Sequence, residues 1–353
     1  MRRRARHVDP NQGLPVLQGF TGIPWIHVAG GRLRRTDQCA GRLALRRATH
    51  ELGFFYLTGH GVPRVLIDEV LGVAHRFFAL PVAEKMSIEM LGSRHFRGYT
   101  RLGGELTEGR TDWREQIDIG PERAAIPGAA GYWNLQGPNR WPRALPELRA
   151  TIIRWDAELS RLGLELLREW AVSLGASADV FDPAFATDPA TLIKVVHYPG
   201  HRVGDAAERE SHQGVGAHKD SGVLTLLLVE PGSSGLQVEG RDGDWIDAPP
   251  LPGAFIVNIG ELLEVATAGY LRATRHRVLS PPGSPERISV PYFFNPALDA
   301  VVPVLTLPAE LAGRARGVSA DPGNPIFDTY GANAWKSRVR AHPDVAARWG
   351  YAG

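Results

Sequence analysis

Apolar positions fall into two textures along the chain. Over 63–79 (PRVLIDEVLGVAHRFFA) they recur at helical spacing behind Pro63, and the surrounding stretch 37–91 reads as helical. One strand-like run, GFFYLTGHG at 53–61, interrupts it. Residues 92–141 are rich in Gly, Trp and charge and read as long irregular loops. A long helix is predicted over about 146–174, entered near Pro146 and stopped at Gly175, a residue suited to a C-terminal cap. From 191 the apolar runs shorten and become rich in β-branched and aromatic residues: TLIKVVHY (191–198), GVLTLLLV (222–229), GLQV (235–238), AFIVNIG (254–260), HRVLS (276–280), ISVPYFFN (288–295) and VVPVL (301–305). PGSSG, RDGD, PPLPG and PPGSP separate them. Short strands with such punctuation predict a sandwich or jelly roll. The expected organisation is a flexible arm over 1–20, a mostly helical region over 21–190 packed on the core, and a sheet core with a helical tail over 191–353.

Composition narrows the function classes. The 353 residues are 43% hydrophobic, enough for one large core. Lys and Arg number 40 against 38 Asp and Glu, so no electrostatic case exists for a nucleic-acid partner. No run approaches the roughly 18 apolar residues of a membrane span. Arg2, Arg3, Arg4 and Arg6 precede no apolar run, which argues for a solvated arm and against a secretion signal. Cys39 is the only cysteine, so internal disulfides and cysteine-based zinc clusters are excluded. Its plain reading is a small residue in or near a helix. A cytoplasmic protein is expected, with no membrane partner; nothing in the sequence fixes an oligomeric state.

His-x-Asp occurs three times, at His7–Asp9, His218–Asp220 and His342–Asp344. The first lies in the polar arm. The third contains Pro343 and reads as a helix start. The second enters the apolar run GVLTLLLV, and alternate strand residues share a face about 6.6 Å apart. His276, ahead of RVLS, is the candidate third ligand. Two imidazoles and one carboxylate leave open metal positions, as non-haem iron oxygenases require, whereas structural zinc wants a closed shell. The competing reading has His218 capping a strand and His276 hydrogen-bonded at the surface.

Arg287 and Ser289 follow eleven and thirteen residues after His276. Arg209 and Ser211 repeat the spacing in a charged loop without a strand. If 281–286 is a tight turn between antiparallel strands, residue 289 faces 278 and 291 faces 276, and His276, Arg287 and Ser289 share one face. The gap of about 13 Å along the strand suits an arginine side chain plus a five-carbon diacid bound to the metal. A guanidinium pairs with a carboxylate through charge-assisted bidentate bonds. Iron(II), one aspartate, a doubly charged diacid and Arg287 sum to neutrality.

These residues together resemble the iron(II)/2-oxoglutarate-dependent dioxygenases of the isopenicillin N synthase-like family. HKD at 218–220, NIGELLE at 258–264, HRV at 276–278 and RISVPYFFNP at 287–296 are similar to its C-terminal signature. GFFYLTGHGVP (53–63) and FFALPVAEK (77–85) are similar to its N-terminal segment, and the resemblance spans roughly 22–345. It implies mainly β architecture with flanking helices around a distorted double-stranded β-helix (jelly roll). It implies Fe(II) on His218, Asp220 and His276, and 2-oxoglutarate on Arg287 and Ser289 with help from Tyr198. Val196 departs from the asparagine many relatives carry. His197 is turned from Tyr198's face by strand parity. The loops 96–120 and 137–142 also look family-like, making Arg97, Tyr99, Arg101 and Glu105 candidate substrate contacts, with an exposed polar loop as the plain alternative. Phe293 is a further candidate, against core packing.

The implied reaction is oxidation of a small organic substrate by O2, by hydroxylation, desaturation or cyclisation, with succinate and CO2 as coproducts. The family also contains O2-dependent oxidases that do not use 2-oxoglutarate and can keep the Arg-x-Ser pair. A non-catalytic jelly-roll binding protein is the third reading, distinguished by the absence of iron-dependent oxygen uptake.

Overall fold

The computed structural model of the protein describes residues 22–27, 38–200, 213–281, 283–318 and 321–351. The basic arm with His7 and Asp9, and the Arg209 to Ser211 segment, lie outside these residues.

Two sheets stack to form the jelly-roll core. The large one contains, in order, β1 (Trp25–His27), β2 (Phe54–Thr58), β12 (Phe255–Ile259), β9 (Leu224–Val229), β14 (Arg287–Phe294), β7 (Leu192–Tyr198), β6 (Glu115–Ile119) and β3 (Gly98–Thr100). Only β1 and β2 run parallel. The small sheet contains β11 (Trp245–Asp247), β10 (Leu236–Glu239), β13 (His276–Leu279) and β8 (Gln213–His218), all antiparallel. A short hairpin, β4 (Leu106–Thr107) and β5 (Arg110–Thr111), stands beside them.

Strand alternation separates two cores. Phe55, Leu57, Val195, Val257, Ile288, Val290 and Tyr292 face the helices. Phe54, Tyr56, Val196, Tyr198 and Ile256 face the small sheet, meeting Val215, Leu236 and Val278. Period-two patterning puts successive residues on opposite faces, so one strand serves both cores.

The helices are α1 (Gln38–Glu51), α2 (Arg64–Phe78), α3 (Val82–Met86), α4 (Glu147–Ser173), α5 (Asp182–Phe185), α6 (Glu261–Ala266), α7 (Ala309–Ala312), α8 (Tyr330–Ala341) and α9 (Pro343–Arg348). Along α4, Leu148, Ile152, Trp155, Leu159, Leu162, Leu166 and Trp170 are buried at three- and four-residue intervals, an amphipathic stripe pressed on the large sheet. Gly163 permits that approach: a Cβ there would lie 2.6 Å from the Phe294 ring. Gly175, at φ +84°, turns the chain out of the helix. No helix among the described residues is long and apolar enough to cross a membrane.

Several sequence expectations change. Segment 92–141 is not wholly irregular, because β3 and β6 extend the large sheet. Residues 301–305 form no strand; Val301 makes one isolated bridge to Thr329. Strands β1, β8 and β11 had not been anticipated. The connection 281–286 is not a hairpin turn: β13 pairs with β10 and β8, while β14 pairs with β9 and β7. Both strands have two partners and no free edge for each other, so the chain changes sheets between them.

Candidate active site

His218 ends β8 and His276 begins β13, and the two are direct cross-strand partners. Their rings lie 4.4 Å apart between centroids. Asp220 lies just past β8, in the connection to β9, and not in a strand as its spacing from His218 had suggested. Its Oδ1 is 3.6 Å from His218 Nε2 and 3.7 Å from His276 Nε2. One donor atom from each residue falls within 4.8 Å of the others, a grouping able to hold a metal ion.

Surrounding hydrogen bonds point these donors inward. The Nδ1–H of His218 donates to Gly216 O (2.8 Å) and that of His276 to Thr274 O (3.1 Å), which leaves both Nε2 lone pairs for the shared centre. Asp220 Oδ2 accepts from Thr225 Oγ1 (2.5 Å) and Asn258 Nδ2 (2.7 Å), so Oδ1 is left toward the imidazoles. Burial opposes ionisation of Asp220, but the two histidines and the Thr225 bond outweigh it and hold the carboxyl well below its ordinary range. Burial, then repulsion from His218, pushes His276 down to about 4, so its imidazole is neutral at physiological pH, the form in which its Nε2 could bind a metal. The donor set fits a 2-His-1-carboxylate metal centre. It contains no thiolate, and no fourth histidine, cysteine or carboxylate joins it among the described residues.

The opposite wall comes from the large sheet. Arg287 pairs in register with Tyr198, and its Cζ sits 4.5 Å from the centroid of that ring. The arginine is 4% exposed. Nη1 donates to Ser234 O at 2.8 Å, and Nε has no acceptor. No carboxylate among the described residues pairs with it. Burial pushes its pKa down, with Tyr198 opposing. A buried cation without a counterion is costly and suits an incoming anion. Ser289 is two residues along the same face. Val196, its partner on β7, contributes only an apolar surface. All three of Arg287, Ser289 and Tyr198 line the same cleft as His218, Asp220 and His276, a space of about 880 Å³ between the sheets.

The candidate substrate contacts divide. Glu105 and Phe293 line the cleft. Tyr99 does not: it pairs with Ile117 on the helix-facing side of the sheet, and its hydroxyl donates to Glu115 Oε2 (2.5 Å). Arg101 is exposed outside the cleft lining. Arg97 is buried elsewhere, donating to His95 O and Leu135 O, and lines a smaller neighbouring cavity. His197 points to the helix side, against Glu115 (2.8 Å) and Phe78. His342 is separate from the triad, buried beside Glu105.

Sequence reading missed Thr225 and Asn258, which orient Asp220, and the charged residues Lys194 and Arg338 of the cleft wall. Thr225 in LTLLLV, Asn258 in FIVNI and Lys194 in LIKVVHY each interrupt an apolar strand run, which was their signal; Arg338, on the polar helix α8, carried none.

Comparison with known proteins fits this geometry. Residues 23–144 match a family model described as non-haem dioxygenase in morphine synthesis N-terminal, and 189–296 match the 2OG-Fe(II) oxygenase superfamily. A 2-oxoglutarate-dependent dioxygenase, frbJ, of a Dothideomycetidae species is 34% identical over 345 residues, covering 94% of this chain and 92% of its own. A homoarginine-6-hydroxylase of Glycine max is 37% identical over 260 residues, covering 73% and 78%. The full-length T7H of Neurospora crassa, solved with alpha-KG, superposes with a TM-score of 0.72 at 25% identity, over 90% of this chain and 95% of its own. With similarity that runs nearly the whole length of such a relative, the chain belongs to the 2OG-Fe(II) oxygenase superfamily and is an iron(II)- and 2-oxoglutarate-dependent dioxygenase.

Proposed function

We propose that His218, Asp220 and His276 hold the Fe(II), and that Arg287, Ser289 and Tyr198 hold the far carboxylate of 2-oxoglutarate. The observation that carries this reading is the buried Arg287 guanidinium, which has no carboxylate partner among the described residues and lines the same cleft as the triad. When bound, the iron supplies O2 activation coupled to oxidative decarboxylation of the keto acid. The protein's part is binding and orientation. Gly216 and Thr274 carbonyls fix the imidazoles, Thr225 and Asn258 fix the carboxylate, and the Tyr198 ring fixes the plane of the guanidinium. Phe54, edge-on to His276 at 5.2 Å, and Leu236 give the cleft an apolar surface beside the triad.

The substrate is a small organic molecule that occupies the cleft lined by Phe293 and Glu105. Homoarginine, named for the Glycine max relative, is the first compound to test. The reaction takes place in the cytoplasm, where a chain with a single exposed thiol needs no oxidative folding. The test is 2-oxoglutarate consumption against its concentration. Arg287→Ala is expected to raise the requirement at least tenfold, since removing one partner of a buried charged contact costs about 2–5 kcal/mol. Metal affinity should stay near that of the wild type. Product formed at full rate without any keto acid would overturn the cosubstrate assignment and favour the oxidase reading.

A further inference from the structure

Behind the cleft, a second cavity of about 40 Å³ is lined by Arg97, Arg123, Leu192, Tyr330, Ala334 and Arg338, among others. Leu192, Tyr330, Ala334 and Arg338 also line the main cleft, so they form the partition between the two spaces. Among the described residues, two guanidiniums on this cavity keep a nitrogen without a partner: Nε of Arg97, 7% exposed, and Nη2 of Arg338, 8% exposed.

The charges around them do not cancel. Arg114 pairs with Glu105 (2.9 Å) and Asp112 (3.1 Å), Lys194 with Glu105 (2.7 Å) and Asp118 (3.2 Å), and Arg338 with Asp118 (3.6 Å). His342, beside Glu105 and Asp118, is neutral, pushed by burial down to about 4. Among the described residues, the Arg97 guanidinium has carbonyl acceptors only, at 3.2 and 3.0 Å. Arg123, on the same cavity, pairs with Asp188 (3.4 Å), so among the described residues five cations face four carboxylates and one positive charge is left over. Burial and the neighbouring Arg338 lower Arg97 only to about 10, so it stays charged. Such a charge calls for an anion.

We propose that the substrate carries a carboxylate that docks against Arg97 and Arg338 at this partition, with its reacting carbon toward the His218, Asp220 and His276 end of the cleft. One negative charge neutralises the cluster, which favours a carboxylate over a dianionic phosphate. Arg338 offers its free Nη2 from α8 and Arg97 its free Nε from the segment before β3, so the anchor joins two distant parts of the chain. Tyr330, on the same partition, places a hydroxyl-bearing side chain beside the site. The inference rests on the reading of this cleft as the oxidation site.

The test uses the full chain loaded with Mn(II) and 2-oxoglutarate. Calorimetry and thermal shift are run against small aliphatic, aromatic and α-amino monocarboxylic acids. Each acid is paired with its primary amide, and methylphosphonate and inorganic phosphate are included. At least one acid is expected to bind tenfold or more tightly than its amide. Arg338→Gln and Arg97→Gln should each weaken that acid at least tenfold, and Arg338→Lys less, while 2-oxoglutarate affinity stays within about twofold. Amides binding as well as acids, no acid binding at all, preference for phosphonate or phosphate, or undiminished acid binding in a folded Arg338→Gln protein would each overturn the proposal. Failure of wild type to bind 2-oxoglutarate would instead count against the cleft reading beneath it.

Discussion

Replacing Asn258 by leucine isolates the support of Asp220 from the metal donors themselves. Asn258 is 2% exposed on β12 and gives one of two hydrogen bonds to Asp220 Oδ2. Leucine has nearly the same size, so the change removes a donor without opening a cavity. A hydrogen bond to a charged group contributes about 1.5–3 kcal/mol, and 1.4 kcal/mol is tenfold in affinity. Metal affinity should therefore fall about 10- to 100-fold, the range seen when partners that orient metal ligands are lost. Thr225→Val should cost a similar amount, and Thr225→Ser, which keeps the hydroxyl, much less. The double variant should lose more than the two singles combined, because Oδ2 then has no protein donor while its carboxylate stays buried. The assay is competitive titration of metal-free protein with Fe(II) under anaerobic conditions, with 2-oxoglutarate binding measured at saturating metal as a control. Wild-type metal affinity in both Asn258→Leu and Thr225→Val would refute the claim that these bonds set the carboxylate's orientation.

Acid sensitivity provides a second test. His342 titrates near 4 in the fold against an ordinary 6.5, so the unfolded chain binds the extra proton first. Stability should fall as pH drops from about 6.5 to 4, by up to about 3 kcal/mol, and His342→Gln should flatten that slope in urea titrations. Glu115 accepts from His197, Lys85 and Tyr99, and these bonds overcome burial to hold it near 2. Its stabilisation is present above about pH 4.5 and is lost toward pH 2. Glu115→Gln, which strands Lys85 in the core, should cost about 3–5 kcal/mol by urea unfolding at pH 7; a loss under 1 kcal/mol would contradict the assigned role. Limited proteolysis near residue 190 should not release a folded 191–353 fragment, because β2 and β6 supply strands to the large sheet. A stable fragment of that size on gel filtration would show two independent units.

What could be read from the sequence depended on whether a local pattern carried the signal. The apolar stripe of α4 and the β-branched runs of β7, β9, β12 and β14 report their own periodicity, and the structure places those elements within a few residues of the expected limits. VVPVL at 301–305 carried the same composition but found no neighbouring strand beyond the Val301 bridge, since β-propensity requires a partner. QGVGAH failed in the opposite direction: two glycines weaken it, and pairing with β13 makes it a strand. Tyr99 was misplaced because its face is set by the register with Ile117, which no local rule gives. The cluster of Glu105, Asp118, Lys194, Arg338 and His342 comes from four separate stretches of chain and becomes a unit only after folding.

The hairpin expected between His276 and Arg287 was wrong in topology, yet both residues line the cleft. The reason lies in the sandwich. A hairpin would have set their separation by residue count along two strands. In the fold, β13 belongs to the small sheet and β14 to the large one, so the separation is set by the distance between stacked sheets, about 10 Å. That spacing is maintained by Val196, Val215, Leu236 and Val278, the apolar side chains that meet between the layers. The two proposed histidine ligands therefore sit on the small sheet and the proposed carboxylate anchor on the large one, with Asp220 in the connection between them, held by Thr225 and Asn258 of the large sheet. The chain needs no long strand pairing to bring them together, only a crossing loop between β13 and β14. Sequence nearness of His276 and Arg287 reflects that single crossing, and inward strand parity at Arg287 and Ser289 does the rest.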